Sequence, residues 1–329
     1  MRLHTRFLTG TVAAGLLLAG CTGAPTNTAS SPAGSSSSSA PVTLTNCGVE
    51  VTFTEAPKAA VTLNQGATQV MLALGLEGSM KGTAYLDDTI PERWKTAYDS
   101  VPVLAEKYPS KEAFLAVKPD FAYASYASAF TEKNIGTRDE LKGENVSTYL
   151  SPFGCEEQGS TETPATMEAV WGETTDIARI FRVEDRATKL IEEQKAKLAE
   201  LKQQAAGKGK KVLWYDSGDK ELFAGTGGGG PQIILDTVGA TNIFANLPKG
   251  WDNVAWEKVV EADPDVIVFA DASWSTAASK QAHLESDPVL SQLRAVKNKA
   301  YVTIPFSEST PGIRLVDGAI SVSEQLAKS

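Results

Sequence analysis

The chain writes one short unit twice. Residues Glu112 to Ser125 read EAFLAVKPDFAYAS, and Glu257 to Ser273 read EKVVEADPDVIVFADAS. In both copies a glutamate opens a short apolar-periodic run, Pro-Asp follows seven residues later at Pro119-Asp120 and Pro264-Asp265, and a β-prone run comes next. Apolar residues at helical spacing predict a helix. Proline cannot continue it and pushes the preceding residue toward extended backbone, so each copy reads as helix, turn, strand. Strands alternating with helices predict parallel sheet, here in two places.

The same grammar recurs around both copies. AVTLNQGATQVMLALGLEGSMKGTAY, starting at Ala60, predicts a strand, a turn at Asn64-Gln65-Gly66, a helix over Thr68 to Leu74 and a stop at Gly75. After KKVLWYDSGD, the run GGPQIILDTVGATNIF again predicts helix, glycine stop and strand. Between the halves, helical sequence runs from Thr163-Pro164, read as N-cap and first helical residue, to about Gln204 with a pause near Arg182. In its second part Ala187, Leu190, Ile191, Leu198 and Leu201 share one face, with Glu192, Glu193, Lys195 and Lys197 on the other. A helix of about twenty residues is about 30 Å long, enough to hold two lobes apart. The sustained heptads of a coiled-coil dimer are absent, and a monomer is expected.

The N-terminus sets the compartment. Arg2 and Arg6 precede an apolar run from Phe7 to Leu18, short for a bilayer span and shaped like the core of an export signal. LAGC, ending at Cys21, resembles the bacterial lipobox, whose cysteine is acylated and becomes the mature N-terminus. The following Ser/Thr/Gly-rich stretch has nothing from which to build a core and reads as a flexible tether. The expected organisation is a signal peptide over 1–20, a tether over 21–45, an α/β lobe over 46–162, a helical connector over 163–206 and a second α/β lobe over 207–329. The protein is expected at the extracytoplasmic face of the bacterial cell membrane, held by lipid on Cys21. A net charge of -9 leaves no basic stripe for a phosphate backbone and argues against a nucleic-acid partner.

Removing Cys21 for lipid leaves Cys47 and Cys155 in a chain that matures in an oxidising space. They are expected to pair and close the first lobe. Two separate buried thiols are the alternative.

Two α/β lobes, a connecting helix, a lipobox and a tether together resemble the substrate-binding proteins of ABC importers, in the helix-hinged class that captures ferric siderophores, haem, cobalamin or bare metal ions. The resemblance runs from about Cys47 onward and lies in TLNQGATQVMLALGL, PSKEAFLAVKPDFAY and WEKVVEADPDVIV. It implies two Rossmann-like lobes with parallel sheets, a cleft between them, and a permease with its ATPase as partners. It also implies that Glu112 and Glu257, one per lobe, dock on basic pockets of a two-fold permease, which would explain why the unit is written twice. Complementing a helix N-terminus is the plainer role for each glutamate. Ser110 is a ready N-cap for the first copy, where the second has Ala255.

No catalytic residue, cofactor or metal site is expected. Besides His4 in the signal peptide, the chain has only His283, too few for the histidine-rich set that bare zinc or manganese needs. His283 lies in a polar helical stretch and reads as a solvated surface residue, while tyrosine ligation of haem stays open. Ligands of open α/β sheets collect beyond the carboxyl ends of the strands. There the candidates are Asn64, Gln65, Tyr85, Tyr126 (beside Tyr123), Trp214, Tyr215, Trp251, Trp274 and Phe306. Such an aromatic set suits a bulky chelate, of ferric-siderophore type, better than a bare ion. Arg314, ahead of the last helix, either grips an anionic ligand group or pairs with Asp317.

GTGGGG, with Gly225, Gly227 and Gly230, matches G-x-G-x-x-G and taken alone suggests an exported nicotinamide-dependent oxidoreductase. It follows a short strand, runs directly into Pro231 and lacks a clear downstream acid, so a loop that starts a helix is the simpler account, with free N–H groups left to hold an anionic ligand part. That second use bears on a non-iron cargo such as cobalamin or an anionic deazaflavin precursor.

Overall fold

The structure, a computed structural model, describes residues 40–155 and 163–328. The export signal, the acylation site Cys21 and the start of the tether lie outside the described residues. The end of the expected tether does not behave as one: Val42–Asn46 (β1) and Val49–Phe53 (β2) form an antiparallel hairpin. Its turn holds Cys47 and Gly48 at φ 50° and 77°, the double left-handed geometry whose twist matches that of the flanking strands. Cys47 is disulfide-bonded to Cys155, 108 residues away.

The first lobe contains β3 (Ala60–Leu63), α1 (Gln65–Ala73), β4 (Met80–Ala84), α2 (Glu92–Asp99), β5 (Val103–Ala105), α3 (Lys111–Ala116), β6 (Phe121–Ala124), α4 (Arg138–Gly143) and β7 (Ser147–Leu150). Its sheet is wholly parallel, in the order β5-β4-β3-β6-β7. Because β3 and β6 are buried on both faces, they read as continuous apolar runs rather than alternating ones.

Two helices follow, α5 (Met167–Phe181) and α6 (Glu184–Gln204). The first begins three residues later than expected, with Thr166 rather than Thr163 as N-cap, its hydroxyl accepting from Ala169 N–H at 3.1 Å. Arg182, in the left-handed conformation, ends it. The expected strut is α6, and α5 runs beside it as a second connecting helix. In α5, Met167 and Val170 join the second lobe's core while Ile177, Ile180 and Phe181 join the first, and in α6 Ala187 packs in the first and Leu198 and Leu201 in the second.

The second lobe has β8 (Lys211–Ser217), β9 (Leu222–Gly225), α7 (Gly230–Val238), β10 (Thr241–Asn242), β11 (Trp251–Val254), α8 (Trp256–Ala262), β12 (Val266–Asp271), α9 (Ala277–Ser286), α10 (Arg294–Lys297), β13 (Tyr301–Pro305) and α11 (Leu315–Leu326). Parallel sheet holds only in part. β10, β8, β12 and β13 pair in parallel, but β9 folds back antiparallel on β8 and β11 on β9. The connection from β8 to β9 is too short for a crossover helix, and a short connection allows only an antiparallel neighbour.

The written-twice unit has a structural reason in its Pro-Asp pair. Asp120, entering β6, accepts from the backbone N–H groups of Lys58 and Ala59 at 2.7 and 2.9 Å, just ahead of β3. Asp265, entering β12, accepts from Lys211 N–H at 2.8 Å, where β8 begins. In each lobe the proline ends the helix and the aspartate pins the start of the neighbouring strand, which sets the register of two parallel strands that no hairpin joins.

Candidate ligand-binding cleft

In the first sheet the strand order reverses between β3 and β6, and in the second between β8 and β12, leaving a crevice at the carboxyl end of each. Residues from both crevices line one shared inner cavity of about 310 Å³. Gln65 and Gly66 follow β3, Ser125 and Tyr126 follow β6, Asp216 comes from β8, Trp274 follows β12, and Phe306 follows β13. An outer cavity of about 750 Å³ shares Asp87, Tyr126, Trp274 and Phe306 with it and adds Tyr85, Tyr98, Glu106 and Lys107.

Aromatic rings make the wall. Trp274 and Phe306 meet edge to face at 5.3 Å, and Trp274 stays 55% exposed, a large apolar surface left for a partner. Tyr85 has φ 64°, a conformation that a bulky residue avoids, and its ring packs on Tyr108 at 4.8 Å. That turn sends the chain on to Asp87 and Asp88 at the cleft floor.

Several expected contacts have other duties. Trp214 and Tyr215 are fully buried and do not reach the cleft. β8 runs on to Ser217, so both lie within the strand, one ring in each of the cores on its two faces. Asn64 is buried as the N-cap position of α1 and bonds the Tyr108 hydroxyl at 2.9 Å. Tyr123 is buried and donates to Glu173 at 2.6 Å. Gln65 borders the cavity, but its amide organises the floor: Oε1 accepts from the N–H groups of Asp87 and Asp88, both at 2.8 Å, and Nε2 donates to Asp88.

Arg314 does not line the cleft. It is buried, with Nη1 donating to Ser307 Oγ at 2.7 Å, Nε to Asp317 at 3.1 Å, and Nη2 paired to Glu308. The pairing with Asp317 is the reading that the structure supports, extended by a second acid. Ser307 in turn donates from N–H and Oγ to Asp88 at 2.8 and 2.9 Å, and Arg93 meets Asp317 at 2.5 Å. Arg314 thus centres a polar seam joining the lobes beneath the cleft.

The glycine loop is likewise occupied. Thr226, Gly227 and Gly228 donate their N–H groups to the carbonyls of Gly250, Leu247 and Lys249, so these are not free for an anion. A Cβ at Gly227 or Gly228 would fall about 2 Å from a carbonyl oxygen of that facing segment, which is why glycine stands there. Pro231 lies in the first turn of α7, as expected. His283 is not simply solvated, since its ring packs on Trp256 at 5.6 Å.

Glu112 and Glu257 stand exposed in the first turns of α3 and α8, neither in an ion pair among the described residues. Ser110 caps α3 by accepting from Ala113 N–H, while α8 has no side-chain cap.

Sequence reasoning missed Asp87 and Asp216. Burial pushes both carboxyls up to about 6. For Asp87 the neighbouring Asp88 adds to the effect, whereas for Asp216 Lys280 pulls back, helped by Ser217 and Trp251. The available signal was an aspartate at or just past a strand end, in YLDD and WYDSGD. Among the described residues no cluster of His, Cys, Asp or Glu is arranged to hold a metal ion, and no helix is long and apolar enough to cross a membrane.

A profile of the family described as periplasmic binding protein matches residues 61–308. An uncharacterized ABC transporter substrate-binding lipoprotein of Bacillus subtilis is 25% identical over 95% of this chain and 94% of its own length. A periplasmic binding protein of Veillonella parvula superposes with a TM-score of 0.76 at 29% identity, over 88% of this chain and 98% of that one. The structure described as an ABC-type Fe3+-hydroxamate transport system of Saccharomonospora viridis superposes with a TM-score of 0.71 at 22% identity, over 87% and 99% of the two chains, a likeness of fold.

Proposed function

Because the chain belongs to the periplasmic binding protein family and is the extracytoplasmic substrate-binding component of an ABC transporter, not an enzyme, we propose that its cargo is a bulky iron chelate of siderophore type. The observation that carries this reading is the aromatic cleft at the carboxyl ends of both sheets, where Tyr85, Tyr126, Trp251, Trp274 and Phe306 surround a space sized for an organic molecule. A chelate brings its own iron donors, so the protein needs shape and ring surface rather than a set of metal ligands. Lipid on Cys21 would keep the protein at the membrane, and the tether would let the lobes present Glu112 and Glu257 to the permease.

The test is native mass spectrometry of protein lacking residues 1–21 after incubation in iron-starved spent medium and, separately, with ferric chelates, haem, cobalamin and deazaflavin cofactors. The expected result is one adduct with the iron isotope pattern, weakened by Trp274→Ala. An iron-free adduct would replace the proposed cargo with an organic cofactor. Retention of nicotinamide alone would overturn the reading.

A further inference from the structure

The cleft is acidic where it is most enclosed. Asp87 and Asp216, one from each lobe, line the inner cavity, and among the described residues no lysine, arginine or histidine lines it. The outer cavity adds Glu106 and a single Lys107. Asp216 is 2% exposed, yet among the described residues its Oδ1 has no hydrogen-bond partner, and neither has the Trp251 Nε1. Burial raises the Asp216 carboxyl's pKa, against the lowering pull of Lys280, Ser217 and Trp251. The Asp87 carboxylate has no hydrogen bond or ion pair among the described residues, although its backbone N–H is held by Gln65. A buried, unsatisfied carboxylate oxygen is costly, and a donor from outside the chain removes that cost.

Two opposing features are weaker. Lys280 lies behind Asp216, donating to Ala270 O, but its one positive charge is shared between Asp216 and Asp271, and it is not part of the cavity wall. The N-terminus of α1 also faces the cavity at Gly66. A helix end is worth about half a charge. Here two of its N–H groups are already taken, Ala67 by Ser125 Oγ at 2.9 Å and Thr68 by Asn64 O at 3.3 Å. The acidic wall therefore outweighs both. Beside the acids, Tyr126, Trp251, Trp274 and Phe306 line the same cavity. Electron-rich rings with carboxylates in a desolvated pocket form a site for an organic cation.

We infer that the cleft selects a cargo bearing a positively charged amine, guanidinium or quaternary ammonium group, seated among Tyr126, Trp251 and Trp274 with Asp87 and Asp216 as its counter-charges. The inference rests on the transport reading and narrows it: catecholate and carboxylate chelates of high negative charge are rejected, and neutral or cationic chelates with an ammonium arm are taken.

The experiment titrates protein lacking residues 1–21 by tryptophan fluorescence with two matched sets. One is a ferric trihydroxamate with a free terminal ammonium, its N-acetylated neutral form and its N-succinylated anionic form. The other is a phenyl-bearing quaternary ammonium compound and its carboxylate counterpart. The cationic member of a set is expected to bind at least about tenfold more tightly than the anionic one. Asp216→Asn and Asp87→Asn should each shrink that ratio, and since Asp87 is only half-buried its variant keeps the test sound if the other fails to fold. Binding of the quaternary ammonium but of no chelate keeps the charge selection and discards the iron cargo. A chelate bound equally well in all three charge forms keeps the cargo and overturns the charge selection. Failure of every cation to bind overturns it too.

Discussion

Glu173 shows what a single buried residue does to this fold. It sits inside α5, fully enclosed, and accepts from Tyr123 Oη at 2.6 Å. Burial raises its carboxyl to about 7, against the lowering pull of the bonds from Tyr123 and Ser151. The unfolded chain releases this proton near pH 4.5 and the folded chain near 7, so in that window the folded state holds more protons. The stability contributed by the neutral carboxyl is complete below the unfolded pKa and is lost as pH rises through about 7. Glu173→Gln keeps an acceptor for Tyr123 and cannot ionise. It is expected to melt less pH-sensitively and to gain roughly 3 kcal/mol over wild type at pH 8, with little difference at pH 4. Urea titrations at the two pH values decide this, and equal destabilisation at both would show that folding does not raise the pKa of this carboxyl.

Among the elements, the β1-β2 hairpin is the least secured by its own size, since an isolated two-stranded ribbon is marginal in water. It is held by Val42, Leu44 and Phe53 in the first core, by Arg138 bonding Asn46, and by the Cys47–Cys155 bridge. Replacing both cysteines with serine is expected to cost about 2–5 kcal/mol. Calorimetry of wild type under strong reductant should converge on the variant's melting temperature, and an unchanged temperature would show that packing alone holds the hairpin. The two connecting helices matter in another way. Trp171 of α5 donates to Gln194 of α6 at 2.9 Å, and Gln194 donates to Ile313 O in the other lobe at 2.9 Å. A pair of helices bonded to each other and anchored in both cores bends less than a single strut and resists a large rotation of one lobe against the other.

At the scale of the whole molecule, the docking proposed for Glu112 and Glu257 sets one exposed glutamate of each lobe against a two-fold permease, where rim charges act on encounter more than on cargo affinity. Glu112→Ala and Glu257→Ala are each expected to lower cargo-stimulated ATPase activity of the reconstituted transporter several-fold, and together to abolish it. Cargo affinity in solution should stay unchanged. Full stimulation by the double variant would leave these residues only their role at the helix N-termini.

The parts of this architecture that depend on neighbours in the chain were readable from the chain. The helix-Pro-Asp-strand unit, the glycine stops at Gly75 and Gly239, Ser110 as a cap and the break at Arg182 all follow from backbone preference over a few residues. So did the family and its two-lobed α/β plan, because both rest on those local units and their order. What a side chain faces was not readable. Trp214 and Tyr215 look like cleft residues until the length of β8 is known. Arg314 looks like a ligand clamp until Glu308, Asp317 and Ser307 fold around it, and Asp216 draws no notice near a strand end until the fold makes it part of a cavity wall. A helix start or a proline turn is decided by torsion angles within one segment, whereas the exposure of a ring and the charge state of a carboxyl are decided by segments that meet only in the packed structure.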